Sequence, residues 1–199
     1  MRLFTPASVL VLLGLSLVLG CGDEASSSPT EASPTSALTP AFKTAGRSGF
    51  GFNGHAKGFP TGEVRLTGGG SFDPATASNT VPNEETSVAS AGGFDCTTPV
   101  AQGPLAGCGA GEGVRWDTAQ LLASAGFKCT GSDAAKLATT DAHTAVLLAD
   151  FYRAGDGIHE SFTAQMIVAD RDLAPEIDGI QNLWVQGVGC GTAIVHFSN

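Results

Sequence analysis

From Ser161 to Val168 the chain reads SFTAQMIV, and its apolar residues fall on every second position: Phe162, Ala164, Met166 and Val168 on one side, with Ser161, Thr163 and Gln165 on the other. Successive side chains of a β-strand point to opposite faces, so this spacing predicts a half-buried strand. GEVRLTGGGSFD repeats the pattern, setting Val64 and Leu66 against Glu63, Arg65 and Thr67 before a glycine run that signals a bulge or a close backbone approach. TAVLLADFY, residues 144–152, is apolar almost throughout, as a central strand covered on both faces would be. Between it and the Phe162 strand, Gly155-Asp156-Gly157 supplies the positive-φ positions of a hairpin loop. NLWVQGVG and TAIVHFS add two closing strands.

One segment departs from period two. In RWDTAQLLASAGF, Asp117 reads as an N-cap with Gln120 at the capping-box offset, Leu121 and Leu122 supply an apolar side, and Gly126 is a natural stop. A helix of two to three turns is expected there. With 27 glycines and turn signals at short intervals, the expected fold is all-β: an antiparallel sandwich or barrel of about seven to eight strands with one short helix.

The N-terminus carries a different pattern. Arg2 precedes an apolar run from Val9 to Leu19, far shorter than the roughly 20 residues a spanning helix needs and of the length of a secretory h-region. The run ends on Val18-Leu19-Gly20-Cys21, which resembles the lipobox of bacterial lipoproteins. That resemblance implies a signal peptide over 1–20, a lipid on the Cys21 thiol, and an address in the bacterial cell envelope, anchored to the outer face of a membrane. Ser, Thr and Pro then fill eleven of the twenty positions from Gly22 to Ala41. Such a segment buries too little apolar surface to offset its ordering entropy, so residues 21–45 read as a lipidated, disordered tether with a mean reach of roughly 25 Å. One domain is expected over 46–199.

With Cys21 assigned to lipid, Cys96, Cys108, Cys129 and Cys190 remain. An even number in an exported chain reads as two disulfides, and three connectivities are open. Cys96 with Cys108 and Cys129 with Cys190 is preferred, because the first closes a local loop and the second ties the last strand to the middle of the chain. Zinc is disfavoured, since no pair has C-x2-C spacing and no histidine stands at a ligand-like offset. The net charge of -9 repels phosphate backbones and argues against nucleic acid as a partner.

Candidate chemistry is sparse. GCGAGEG, Gly107 to Gly113, matches neither glycine-rich phosphate motif and reads as a turn beside a disulfide. DRDLAPEIDG offers Asp170, Asp172, Glu176 and Asp178 as oxygen ligands for calcium, but Ala174 and Pro175 occupy the positions where an EF-hand needs an acid or amide and a glycine. DFYRAGDGIHES gathers Asp150, Arg153, Asp156, His159 and Glu160 near one hairpin, where adjacent residues point to opposite faces. No G-x-S-x-G elbow is present, and His55, His143, His159 and His196 stand singly. His196 alternates with Val195 and Phe197 and is expected to face outward. Trp116 and Trp184 read as core anchors, with the walls of a ligand groove as the other reading. No catalytic residue, metal or cofactor is assigned.

The run from GEVRLTGGGSFD through GPLAGCGAGEGVRWDTAQLL and ADFYRAGDG to QGVGCGTAIVHFS, within residues 46–199, resembles a group of secreted bacterial proteins to which no activity is attached. Two functions stay open: a membrane-anchored lipoprotein whose β domain binds a small ligand, a protein or a polysaccharide, and an extracytoplasmic hydrolase with an acidic or calcium-assisted site. Paired carboxylates in a concave pocket would favour the hydrolase.

Overall fold

The computed structural model describes residues 46–58, 61–80, 86–153 and 161–198. Contacts divide the chain into Met1–Ala41 and Phe42–Asn199, and every described residue lies in the second unit. Cys21, the signal segment and the tether therefore fall outside the described residues, as do Gly155, Asp156, Gly157, His159 and Glu160.

Ten strands are described: β1 (Ser48–Lys57), β2 (Glu63–Phe72), β3 (Val88–Thr98), β4 (Arg115–Leu121), β5 (Ser124–Phe127), β6 (Lys136–Thr139), β7 (Thr144–Tyr152), β8 (Ser161–Ala169), β9 (Leu183–Val185) and β10 (Gly189–Ser198). Eight of them close an antiparallel barrel in the order β1-β10-β9-β8-β7-β4-β3-β2, while β5 and β6 form a separate two-stranded sheet. Around the barrel each strand pairs with the next barrel strand in sequence, β4 passing over the β5–β6 hairpin to β7, and the barrel closes where β10 meets β1, from Gly49 opposite Ser198 to Ala56 opposite Gly191. An eight-stranded barrel is just wide enough for its interior to be filled by side chains.

The alternation read from the sequence decides what fills it. Phe50 and Phe52 of β1, Val64, Leu66 and Phe72 of β2, Phe94 of β3, Trp116 of β4, Leu147 and Phe151 of β7, and Met166 and Val168 of β8 form one buried cluster. Outward positions carry Asn53, His55, Lys57, Glu63, Arg65, Thr67 and His196, all partly or fully exposed. Apolar inside and polar outside is the reverse of the pattern in a barrel whose outer wall faces lipid.

Eleven residues of aromatic and aliphatic bulk fit because glycines lie opposite the largest rings. Phe52 pairs with Gly68, Gly68 with Gly92, and Gly92 with Trp116. The Trp116 indole lies across this glycine pair, donates its Nε1–H to the Thr67 carbonyl at 3.0 Å, and brings its ring within 5.9 Å of Phe52. A Cβ on Gly68 would stand 2.5 Å from Trp116 Cζ2, and one on Gly92 would stand 1.8 Å from the Thr67 carbonyl oxygen.

The expected helix over Asp117–Gly126 does not form. Its residues make most of β4 and most of β5, and Asp117 faces Asp150 across a strand pair instead of capping a turn. A register shift between Thr118 and Gln120 inserts one extra residue into β4. The paired positions on β7 show the effect: Trp116, Thr118 and Leu121 face the inward residues Phe151, Ala149 and Leu147, at spacings of two and then three. A bulge thus broke the period and produced a helix-like spacing.

Strand β9 is only three residues long, and side-chain amides extend its ladder at both ends. Asn182 accepts from the Ala193 amide at 2.7 Å and donates to the Ala193 carbonyl at 3.0 Å. Gln186 accepts from the Gln165 amide through Oε1 at 3.0 Å, while its own backbone amide donates to the Gln165 carbonyl. The disulfides are Cys96–Cys108, with Cα atoms 6.2 Å apart, and Cys129–Cys190, at 4.7 Å. The first pins a loop whose Val100 and Leu105 are buried in the barrel core.

The glycine pair yields a paired test. Gly68→Ala should lower stability by about 1–3 kcal/mol, the cost of overpacking a filled interior. Gly51→Ala, whose added methyl would meet nothing closer than the Gly68 carbonyl at 3.8 Å, should change little. Urea unfolding of both variants measures the contrast, and equal midpoints would refute the packing account.

Candidate functional site

Outside the barrel wall lies a second, smaller apolar cluster. Val146 of β7, Ile167 of β8, Trp184 of β9 and Cys190 of β10 project outward and are covered by Leu122, Ala125, Phe127, Cys129, Ala138 and Ala174. The β5–β6 hairpin supplies much of that cover: Ala125 and Phe127 are buried while the intervening Gly126 is exposed, and Ala138 lies opposite Ala125. This explains why residues 144–152 read as apolar on both sides: Leu147, Ala149 and Phe151 face the barrel interior, and Val146 and the partly buried Leu148 face the hairpin. Cys129–Cys190 staples the loop between β5 and β6 to the start of β10.

Where the hairpin meets the β9–β10 turn, a cavity of about 470 Å³ opens to the surface, with Phe127, Trp184 and Val188 among its walls. That volume is in the range of small-molecule sites. The two rings lie 6.0 Å apart and tilted by 58°. Trp184 donates its Nε1–H to the Lys128 carbonyl at 2.9 Å, which fixes the indole as part of the wall. Gln102 enters from the loop behind β3, donating to the Thr61 carbonyl at 2.6 Å and the Gly187 carbonyl at 2.7 Å and accepting from Thr61 Oγ1 at 2.9 Å. Gly187 has φ of 82° and would carry a Cβ 2.8 Å from Gly103, so the turn holds its shape by a backbone contact open only to glycine.

Two other depressions lie on the outer wall. One of about 540 Å³ includes His55, Lys57, Glu63 and Thr192, and one of about 340 Å³ includes Asn53, Arg65, Thr67 and Asp95. In each, polar side chains meet across strands: His55 with Glu63 at 3.5 Å in the larger and Arg65 with Asp95 at 3.4 Å in the smaller. The first cavity, though not the largest, is the one of the three walled by a pair of neighbouring aromatic rings, Phe127 and Trp184.

The residues singled out as calcium ligands are drawn to separate partners. Asp170 meets His143 Nδ1 at 2.6 Å, Asp172 Oδ1 accepts from the amides of Ala174 and Gln181 at 3.0 Å each, and Glu176 pairs with Lys136. The Asp178 carbonyl accepts from Gln181 Nε2. Among the described residues no three His, Cys, Asp or Glu side chains converge as a metal site. Asp150 accepts from Thr163 Oγ1 at 2.6 Å on the outer wall, and Arg153 donates to the Gly107 carbonyl at 2.9 Å and to Glu112 at 3.4 Å. GCGAGEG is thus a loop tied down by Arg153 and by Cys108. The facing carboxylates Asp117 and Asp150, missed by the sequence reading, stand on the outer wall and line none of the three cavities. Trp116 is a core anchor, and Trp184 is both anchor and cavity wall.

Four carboxyls sit below their ordinary values. The Gly109 amide, followed by Arg153, lowers Glu112. Hydrogen bonds from Thr130 lower Asp133, and Lys136 lowers Glu176. For Asp141 burial pushes upward, but the His143 amide and Arg171 outweigh it. No protein-family model, curated protein or solved structure matches the chain.

A group whose folded pKa lies below its unfolded value stabilises the fold above the unfolded value, and that contribution disappears as pH falls through the folded one. The unfolded references here are 3.8 for Asp and 4.5 for Glu. Melting temperature should therefore hold between pH 7 and about 5 and drop on acidification below about 4. A scanning-calorimetry series checks this, and a midpoint unchanged down to pH 3 would contradict it.

Proposed function

We propose that this chain is a membrane-anchored extracytoplasmic lipoprotein, tethered through lipid on Cys21, whose barrel presents a binding site for a small apolar ligand at the Phe127–Trp184 cavity. The lipobox-like Val18-Leu19-Gly20-Cys21 and the Ser/Thr/Pro-rich segment behind it support the anchor. Two disulfides in the body agree with an oxidising compartment. The observation that carries the binding reading is the aromatic cavity itself: a concave apolar surface built outside the barrel core by a dedicated hairpin and held open by the Cys129–Cys190 staple. The barrel interior, filled by its own rings, leaves the outer cavity as the place for a guest.

The two halves of the proposal have separate tests. Cys21→Ser should shift the protein from the membrane to the soluble fraction of the producing cell, and unchanged fractionation would remove the anchor. For the cavity, octan-1-ol should perturb tryptophan emission saturably, and Ala135→Phe, which places a ring at an exposed position on the cavity wall, should abolish the response. A response unaltered by that substitution would place the alcohol elsewhere.

A further inference from the structure

The polar groups around the Phe127–Trp184 cavity are unequally spent. Four acceptors there already receive a hydrogen bond: the Lys128 carbonyl from Trp184, the Gly187 carbonyl from Gln102, Gln102 Oε1 from Thr61, and Gln186 Oε1 from the Gln165 amide. Two donor groups are unspent. With Oε1 fixed, the Gln186 carboxamide keeps its Nε2 hydrogens, which have no partner among the described residues. Lys128, exposed and the one charged residue on the cavity wall, has no ion pair among the described residues. An ammonium and an amide NH2 over aromatic walls make a rim of donors around an apolar floor. The chain carries a net charge of -9, and among the described residues Arg65, Arg115, Arg153, Arg171 and Lys136 are each paired with a carboxylate, whereas Lys128, like Arg47 and Lys57, is not; of these three only Lys128 stands on the wall of the Phe127–Trp184 cavity.

We infer that the cavity takes an amphipathic anion, with a carboxylate head at Lys128 and the Gln186 amide and an apolar tail against Trp184, Phe127 and Val188. The unspent wall groups, Lys128 and the Gln186 amide, are donors, and a carboxylate meets both with two acceptor oxygens. A cationic head would meet Lys128 as a like charge. A cavity of about 470 Å³ holds a tail of medium length with room to spare. This assignment rests on the binding reading above and narrows it to one chemical class.

Octanoate, octan-1-ol and octylammonium share one tail and differ in the head, so titrating each into the full-length chain carrying Cys21→Ser, which dispenses with detergent, separates head from tail. Tryptophan emission reports binding. The expected order is octanoate tightest, by about tenfold over the alcohol, and octylammonium weakest, tenfold being the scale of one modest charge-assisted hydrogen bond. Lys128→Gln should bring octanoate to the affinity of octan-1-ol and leave the alcohol unchanged. Octanoate no tighter than the alcohol, or a preference that survives Lys128→Gln, overturns the anionic head while the cavity stands. No response to any of the three, or a response that persists in Trp184→Phe, overturns the binding site and the head-group assignment together.

Discussion

The contact between the Trp116 indole and the paired backbones of Gly68 and Gly92 governs how the barrel interior is packed. A ring of that size can lie flat inside an eight-stranded barrel only where the wall has no side chains, and the two glycines provide that gap on adjacent strands. The bond from Nε1 to the Thr67 carbonyl reaches across β3 to β2, so one side chain couples three consecutive strands. Phe52 packs on one edge of the indole, and Phe94, Phe151 and Phe162 form a second aromatic group deeper along the wall. Without the gap, the interior would have to widen or the rings would have to leave it. The outer cluster under the β5–β6 hairpin depends on the same wall, because Val146 and Ile167 face it only if Leu147 and Met166 face in.

Much of this was legible in the sequence because the period of two is a direct consequence of strand geometry. The strands at Val64, at Phe162 and around His196 followed from alternation, and the doubly covered character of residues 144–152 followed from its absence. The disulfide preference matched the fold for the stated reason: Cys190 lies at the start of the last strand and Cys129 in the loop of a mid-chain hairpin. The failure at Asp117–Gly126 has an equally specific cause. One bulged residue in β4 moved Leu121 out of phase with Trp116, and the resulting spacing imitated a helix with a plausible cap. Linear sequence does not reveal a bulge, since its evidence lies on the partner strand.

The candidate site was less legible. Trp184 was read as anchor or groove wall, and the fold makes it both because a residue on an outer barrel face can pack against a hairpin and still reach its edge. Phe127 and Val188 carried no signal, as each belongs to the cavity only through the meeting of a hairpin and a turn roughly 60 residues apart. The acidic residues drew attention through their spacing along the chain, yet the fold spends them on loop closure and on ion pairs. Asp172 organises its own loop by accepting from two backbone amides, a role in which a carboxylate is a structural cap.

The order of strands around the barrel also sets an order in time. Every seam but one joins strands that follow each other around the wall in sequence, and these can form as soon as the second member of a pair is available. The remaining seam joins β1 to β10, with Gly49 and Ser198 at its far end. Until the last residues of the chain arrive, β1 is an edge strand carrying Phe50 and Phe52, the kind of surface that recruits other chains. The arrival of β10 covers that edge and in the same movement brings Cys190 to Cys129. Closing the barrel therefore also sets the two sulfurs of the long-range disulfide side by side, and a chain caught before closure is the species most exposed to aggregation.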